Sequence, residues 1–225
     1  MKLEVKIKMN PSLYLRDPEQ SELGRNIINY SIQLIQKNGF ESFTFKKLAE
    51  AVGTTEASVY RYFENKHKLL VYIISWYWEW LQFQINYKTN NIHDPFVKLK
   101  MVINILASDV EDDITTSHVD ESLLHKILIV EGSKAYLTNH VEIDNKQKLF
   151  KPYKDLCNLV SDVITECNSK YKFPHSLAST IIEIAHLQHF FMHNLPALTD
   201  FNKSNKANQI IEYLNDLVIS SIKSK

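Results

Sequence analysis

The sequence is poor in the residues that punctuate a chain. Four glycines and six prolines in 225 residues are too few for the many tight turns of a sandwich or barrel, and this favours helices. Cysteine is nearly absent. Cys157 and Cys167 fall on one expected helix, about 15 Å apart along its axis, whereas a disulfide spans Cα atoms within roughly 7 Å. They read as buried or idle thiols of a reducing compartment, with a redox sensor as the alternative. No stretch approaches the roughly 18 uninterrupted apolar residues of a membrane span. The start, Met1 to Lys8, lacks the apolar segment of a signal peptide. A soluble cytoplasmic protein is expected.

Net charge is missing too. Lys plus Arg number 26 and Asp plus Glu 26, which excludes a protein that coats nucleic acid through bulk charge. Residues 1–68 hold eleven basic and eight acidic side chains. Charge therefore permits DNA binding there without arguing for it, and local pattern has to carry any such reading. Hydrophobic residues make up 44% and charged residues 23%, which suits a folded chain with a substantial core.

Helical periodicity then dominates. Residues 1–18 read as an arm, because Asn10-Pro11 and Asp17-Pro18 oppose helix. A first helix is expected from about Glu19 to Asn38, with Leu23, Ile27, Ile28, Ser31, Leu34 and Ile35 on one face and Gly39 closing it. Thr44 can cap a second helix ending near Val52, Gly53 supplies a turn, and Thr55 can cap a short third helix ending around Phe63. Asn65 opens a fourth helix, Lys66 to about Tyr87, and Asp94-Pro95 a fifth, to about Val110. Residues 111–117 read as a polar loop. Further helices are expected near Val119–Ser133, Pro152–Lys170, Pro174–Asn194 and Asn205–Lys223, with a polar connection between the first two of these. The fold class is all-α, with about nine helices. The expected division is an arm (1–18), a helix-turn-helix domain (19–66) and a helical regulatory and dimerisation domain (67–225).

Residues 43–70 carry the chemistry. Two short helices around a tight turn, followed at once by a long one, have the form of a helix-turn-helix whose second helix enters the major groove. Phe45, Leu48, Ala49, Val52, Val59 and Phe63 have the spacing to pack inward. Ser58, Arg61 and Tyr62 then project from the third helix, with Tyr60 at the margin. Thr44, Thr55 and Lys66 mark helix N-termini, whose free N–H groups and partial positive charge can hold phosphates. Arg61 could donate twice to a guanine or contact backbone. Taken singly, Thr44 and Thr55 read equally as ordinary caps, and Tyr60 and Tyr62 as packing. Glu56, in the first turn of the reading helix, suits the helix dipole but would repel phosphate. Lys6, Lys8 and Arg16 of the arm could add phosphate contacts; solvated charge is the plainer reading.

With Gly39-Phe40, Phe43-Thr44, Leu48-Ala49, Val52-Gly53, Ser58-Val59-Tyr60, Tyr62-Phe63 and Asn65-Lys66 before Leu69-Leu70, the chain resembles the TetR/AcrR family of transcriptional regulators. The likeness is densest over 23–70; beyond it only helix number and length agree. The resemblance implies a homodimer, joined through the two C-terminal helices, on a near-palindromic double-stranded DNA operator. It also implies a divergent ligand-binding domain and repression relieved by a small molecule of unknown identity. By position, it puts Thr44, Thr55, Tyr62 and Lys66 at backbone contacts, and Ser58, Tyr60 and Arg61 where base and backbone contacts mix. A ligand-independent structural or partner-recruiting protein on the same fold is the alternative.

The fourth helix is rich in aromatics. Trp76, Trp80, Phe83 and Tyr87 share a stripe that reads as core, although Trp76 and Tyr77 could line a cavity for a flat apolar ligand. His186, His189 and His193 share a face of the eighth expected helix. Buried or interface histidines are the plain reading; a ligand-pocket role for His186 and His189 and a zinc site are alternatives, the latter lacking clustered carboxylate or thiolate partners. No phosphate-cradling Gly-rich loop, nucleophile elbow or metal motif is present, so no enzyme, cofactor or metal is expected.

Overall fold

The computed structural model describes residues 7–112, 119–202 and 206–223. Among them are ten α-helices and no strand. The helices are α1 (Glu22–Asn38), α2 (Phe45–Val52), α3 (Glu56–Tyr60), α4 (Lys66–Thr89), α5 (Pro95–Ala107), α6 (Glu121–Glu131), α7 (Val141–Lys146), α8 (Lys151–Cys167), α9 (Pro174–Asn194) and α10 (Lys206–Lys223). No helix among the described residues is long and apolar enough to cross a membrane. The extra helix relative to expectation is α7, inside the polar connection. Its only buried residue is Asp144, and Val141 and Ile143 face outward, so no apolar periodicity announces it. Of the expected polar loop, residues 113–117 lie outside the described residues, as does Lys6 of the arm.

The chain divides into two compact units, Met1–Tyr77 with Val110–Pro152, and Trp78–Asp109 with Tyr153–Lys225. In the first, α1 buries Ile27, Ile28, Ser31, Ile32 and Ile35 and packs on α2, which buries Phe45, Leu48 and Ala49 and packs in turn on α3 with its buried Val59. Each short helix is closed by a cap that the sequence supplies. Thr44 Oγ1 accepts the Lys47 N–H, and Thr55 Oγ1 the Ser58 N–H, caps worth about 1 kcal/mol each. Gly53 sits at φ 76°, ψ 36° and returns its N–H to Ala49 and Glu50, the left-handed closure that glycine tolerates best. The arm is packed where it is described. Met9 and Leu13 are buried, the Asn10 amide donates to the carbonyls of Gln147 and Lys148, and the Leu15 N–H donates to the Tyr62 carbonyl at 2.8 Å. The charged Lys8 and Arg16 stay exposed.

In the second unit, α10 packs on α5 and α9 through buried Ile210, Leu214, Val218 and Ile222. The Asn168 amide ties the end of α8 to the Ile222 carbonyl at 2.8 Å. Phe83 and Tyr87, expected in the core stripe of α4, are exposed instead and stack on each other. The last turns of α4 bury Leu81, Ile85 and Thr89 instead, so the inward face there is not the one that carries Phe83 and Tyr87.

Candidate nucleic-acid interface

Helix α3 is five residues long, shorter than expected. After Tyr60 the Tyr62 and Phe63 N–H groups both return to the Val59 carbonyl, a tightened turn that ends it. Val59 faces inward, while Glu56, Ala57, Tyr60 and Arg61 face solvent and Ser58 is half-buried. The Thr55 and Ser58 hydroxyls lie 2.9 Å apart. Tyr60 is 47% exposed, with its ring edge-on to Phe45 at 4.9 Å. That contact fixes its direction and leaves its hydroxyl end outward. The Arg61 side chain makes no hydrogen bond or ion pair among the described residues, and its backbone N–H returns to the Val59 carbonyl.

Tyr62 does not project. Its side chain is 2% exposed, and its hydroxyl shares a 2.8 Å hydrogen bond with Ser21 Oγ, the group that also caps α1 through the Gly24 N–H. Tyr62 lies three residues after inward-facing Val59, on the same face by helical spacing, and Ser21 supplies the partner for its hydroxyl.

Lys66 is engaged as well. Its Nζ donates to the carbonyls of Phe40, Glu41 and Phe43 at 3.2, 3.3 and 3.3 Å and sits 4.7 Å over the Phe40 ring. The ammonium thus caps the α1–α2 loop, a role set by groups 23 to 26 residues away. The same loop is held from its other side. The Phe40 N–H donates to Glu131 Oε1 at 3.0 Å, and Lys134 Nζ bridges Glu131 at 2.8 Å and Glu41 at 2.9 Å.

The cations that do face solvent on α2 are Lys46 and Lys47, beside the Thr44 cap, although Lys47 Nζ also donates to the Ser42 carbonyl. Sequence reasoning did not single them out. Two adjacent lysines in the first turn of a helix, where the dipole disfavours them, were the available signal.

The residues expected to line a ligand pocket fall in different units, Trp76 and Tyr77 in the first, His186 and His189 in the second. All four are buried. Tyr77 stacks on His125 at 5.8 Å. His189 Nε2 lies 2.9 Å from the Ala107 carbonyl, which requires that nitrogen to carry the proton. His186 packs against the edge of Trp78 at 5.5 Å, and Trp78 stacks on Tyr153 at 5.0 Å. Burial, with His189 adding to it, lowers the His186 pKa to about 4. Two open grooves of the second unit, of about 440 and 520 Å³, are lined respectively by residues of α5 and α10 and by the end of α4 with Asn90 and Asn91. Neither includes those four residues. Among the described residues no group of His, Cys, Asp and Glu could hold a metal ion.

Residues 27–73 match the family described as "Bacterial regulatory proteins, tetR family". No curated protein matches the chain. Solved structures share the fold. The fatty acid degradation regulator FadR from Bacillus halodurans is 17% identical, with TM-score 0.64 over 91% of this chain and 98% of that one. AibR, crystallised with isovaleryl coenzyme A and operator DNA, is 16% identical, with TM-score 0.60 over 87% and 97%. The ketosteroid regulator KstR2 of Mycobacterium tuberculosis is 12% identical, with TM-score 0.57 over 91% and 96%. The match to the tetR family of bacterial regulatory proteins thus lies in the N-terminal segment, residues 27–73, while the solved structures share the fold of most of the chain.

Proposed function

We propose that the chain is a cytoplasmic transcriptional repressor that binds a near-palindromic operator as a homodimer and is released from it by a small molecule. The observation that carries the DNA-binding reading is the α2–Gly53–α3 unit, with Tyr60 and Arg61 turned to solvent at the end of one short capped helix and Ser58 half-buried within it. Ser58 and Arg61 read base edges in this proposal, and Tyr60 reaches sugar or phosphate. Thr44 and Thr55 present helix N-termini to phosphates. Tyr62 and Lys66 serve the site indirectly, one by fixing α1 against the end of α3 and the other by holding the α1–α2 loop.

The dimer joins α9 and α10 of two copies. Exposed Leu187 on α9 and Tyr213 on α10 give that pair apolar surface for a four-helix contact. The effector carries an apolar group bound in the second unit near Trp78, which meets His186 at its edge and stacks on Tyr153. AibR was crystallised with isovaleryl coenzyme A, which makes acyl-coenzyme A thioesters the first probes.

A gel-shift titration with the DNA upstream of the chain's own gene tests the reading. A shift preferred over random duplex and weakened by salt is expected, with loss of the complex on adding the effector. Absence of salt-sensitive binding would sink the DNA-binding reading. Persistence of the complex with every acyl thioester tried would count against that effector class.

A further inference from the structure

We propose that Arg16, outside the helix-turn-helix, is a DNA phosphate contact built onto the end of the reading helix; this deepens the DNA-binding reading above and rests on it. The helix-turn-helix is locally short of charge for its task. Residues 44–64 carry three basic and three acidic side chains, Glu56 stands in the first turn of α3, and the Lys66 ammonium is held by three loop carbonyls. A duplex presents a dense row of phosphates, and affinity depends on how many of them cations neutralise.

The arm supplies a cation where one is lacking. Its 2.8 Å hydrogen bond from the Leu15 N–H to the Tyr62 carbonyl fixes the next residue, Arg16, two positions beyond the end of α3. The arm cannot slide at that point, because Leu13 is buried and the Tyr14 ring packs edge-on to Tyr72 at 6.2 Å. Arg16 itself is exposed, with its guanidinium 5.4 Å over the face of the Tyr62 ring. Stacking on one face leaves the planar fork of N–H donors free at its edge, the geometry that suits phosphate. No carboxylate pairs with it among the described residues. The adjacent Asp17 is occupied by the Glu19 N–H at 3.0 Å and the Gln20 amide at 3.1 Å. Tyr62 then has a definite purpose, since its ring is the platform that aims Arg16.

Fluorescence anisotropy of the full chain with a labelled duplex from upstream of its own gene tests this, between about 50 and 200 mM salt. Arg16→Ala and Arg16→Gln should each weaken binding roughly 5- to 10-fold across sequences and reduce the salt slope by about one. Arg16→Lys should keep the slope while losing part of the affinity. Wild-type slope and affinity in both Arg16→Ala and Arg16→Gln would overturn the proposal alone. Weakened binding with an unchanged slope would overturn it too, because that marks a purely structural role. If the wild type shows no salt-sensitive binding, the DNA-binding reading falls and the role of Arg16 falls with it.

Discussion

The Phe40 N–H donates to the carboxylate of Glu131, 91 residues later, at 3.0 Å. Glu131 is 6% exposed, and Lys134 neutralises it while also reaching Glu41. The hydrogen bond with Glu131, more than that with Glu41, raises the Lys134 pKa. A buried carboxylate thereby closes the loop between α1 and α2 from outside the helix-turn-helix segment. Glu131→Ala leaves the Phe40 N–H without its acceptor and should cost about 2–3 kcal/mol. Glu131→Gln keeps an acceptor for that N–H and should cost less. Urea unfolding of the two variants checks the order, and equal losses would show that the ion pair, not the amide contact, matters.

Lys66 closes the same loop from the inside. Lys66→Met removes three charge-assisted hydrogen bonds at a partly exposed site and should cost about 1–2 kcal/mol. Because the ammonium serves carbonyls, the salt slope of DNA binding should change less than it does for Arg16→Ala. Melting curves and salt titrations of both variants decide this. A full unit of slope lost with Lys66→Met would place its charge on phosphate instead.

Two glycines should respond in opposite ways to intuition. Gly24 lies in the first turns of α1, where alanine ordinarily improves a helix by about 1 kcal/mol. Here an added Cβ would sit 2.2 Å from the Pro18 carbonyl oxygen and 2.6 Å from its Cα, so the backbone before α1 would have to move. Gly24→Ala should destabilise by about 2–3 kcal/mol. At Gly53 nothing lies within 4 Å of an added Cβ, and only the positive φ opposes substitution. Gly53→Ala should therefore cost about 1 kcal/mol. Denaturant midpoints check the ranking, and a milder effect at Gly24 than at Gly53 would refute the close approach of Pro18.

Burial first, and His189 second, depress the His186 pKa from 6.5 to about 4. The unfolded chain binds this proton more readily, so the contribution of neutral His186 is full above about pH 6.5 and is lost as pH falls toward 4. By pH 5 the loss amounts to about 2 kcal/mol. His186→Leu should flatten the fall in melting temperature between pH 7 and 5 relative to the wild type. Parallel curves would mean that His186 titrates normally.

What was legible in the sequence was local. The caps Thr44 and Thr55 act within three residues, Gly53 acts on its own backbone, and the apolar face of α1 repeats along one helix, so pattern alone located the helix-turn-helix. What was illegible depended on distant partners. The Tyr62 hydroxyl is held by Ser21, 41 residues earlier, and the Lys66 ammonium by three carbonyls of the α1–α2 loop that converge on it. Helix α7 had no apolar stripe to announce it. The exposure of Phe83 and Tyr87 reflects the burial of Leu81, Ile85 and Thr89 on the other face of the last turns of α4, a choice between faces that an aromatic stripe alone does not make. His186 and His189 shared a face by spacing, but only packing against Trp78 and the Ala107 carbonyl separated core from surface.

The most direct measurement is selection of bound duplexes from a randomised DNA pool by the wild type, Ser58→Ala and Arg61→Ala. If α3 reads bases in a homodimer, the wild type should enrich an inverted repeat. Each variant should then relax preference at its own symmetric positions, by about 1–3 kcal/mol for a lost bidentate arginine contact. Enrichment of no motif, or one motif unchanged in both variants, would contradict the assignment of α3 as the reading helix.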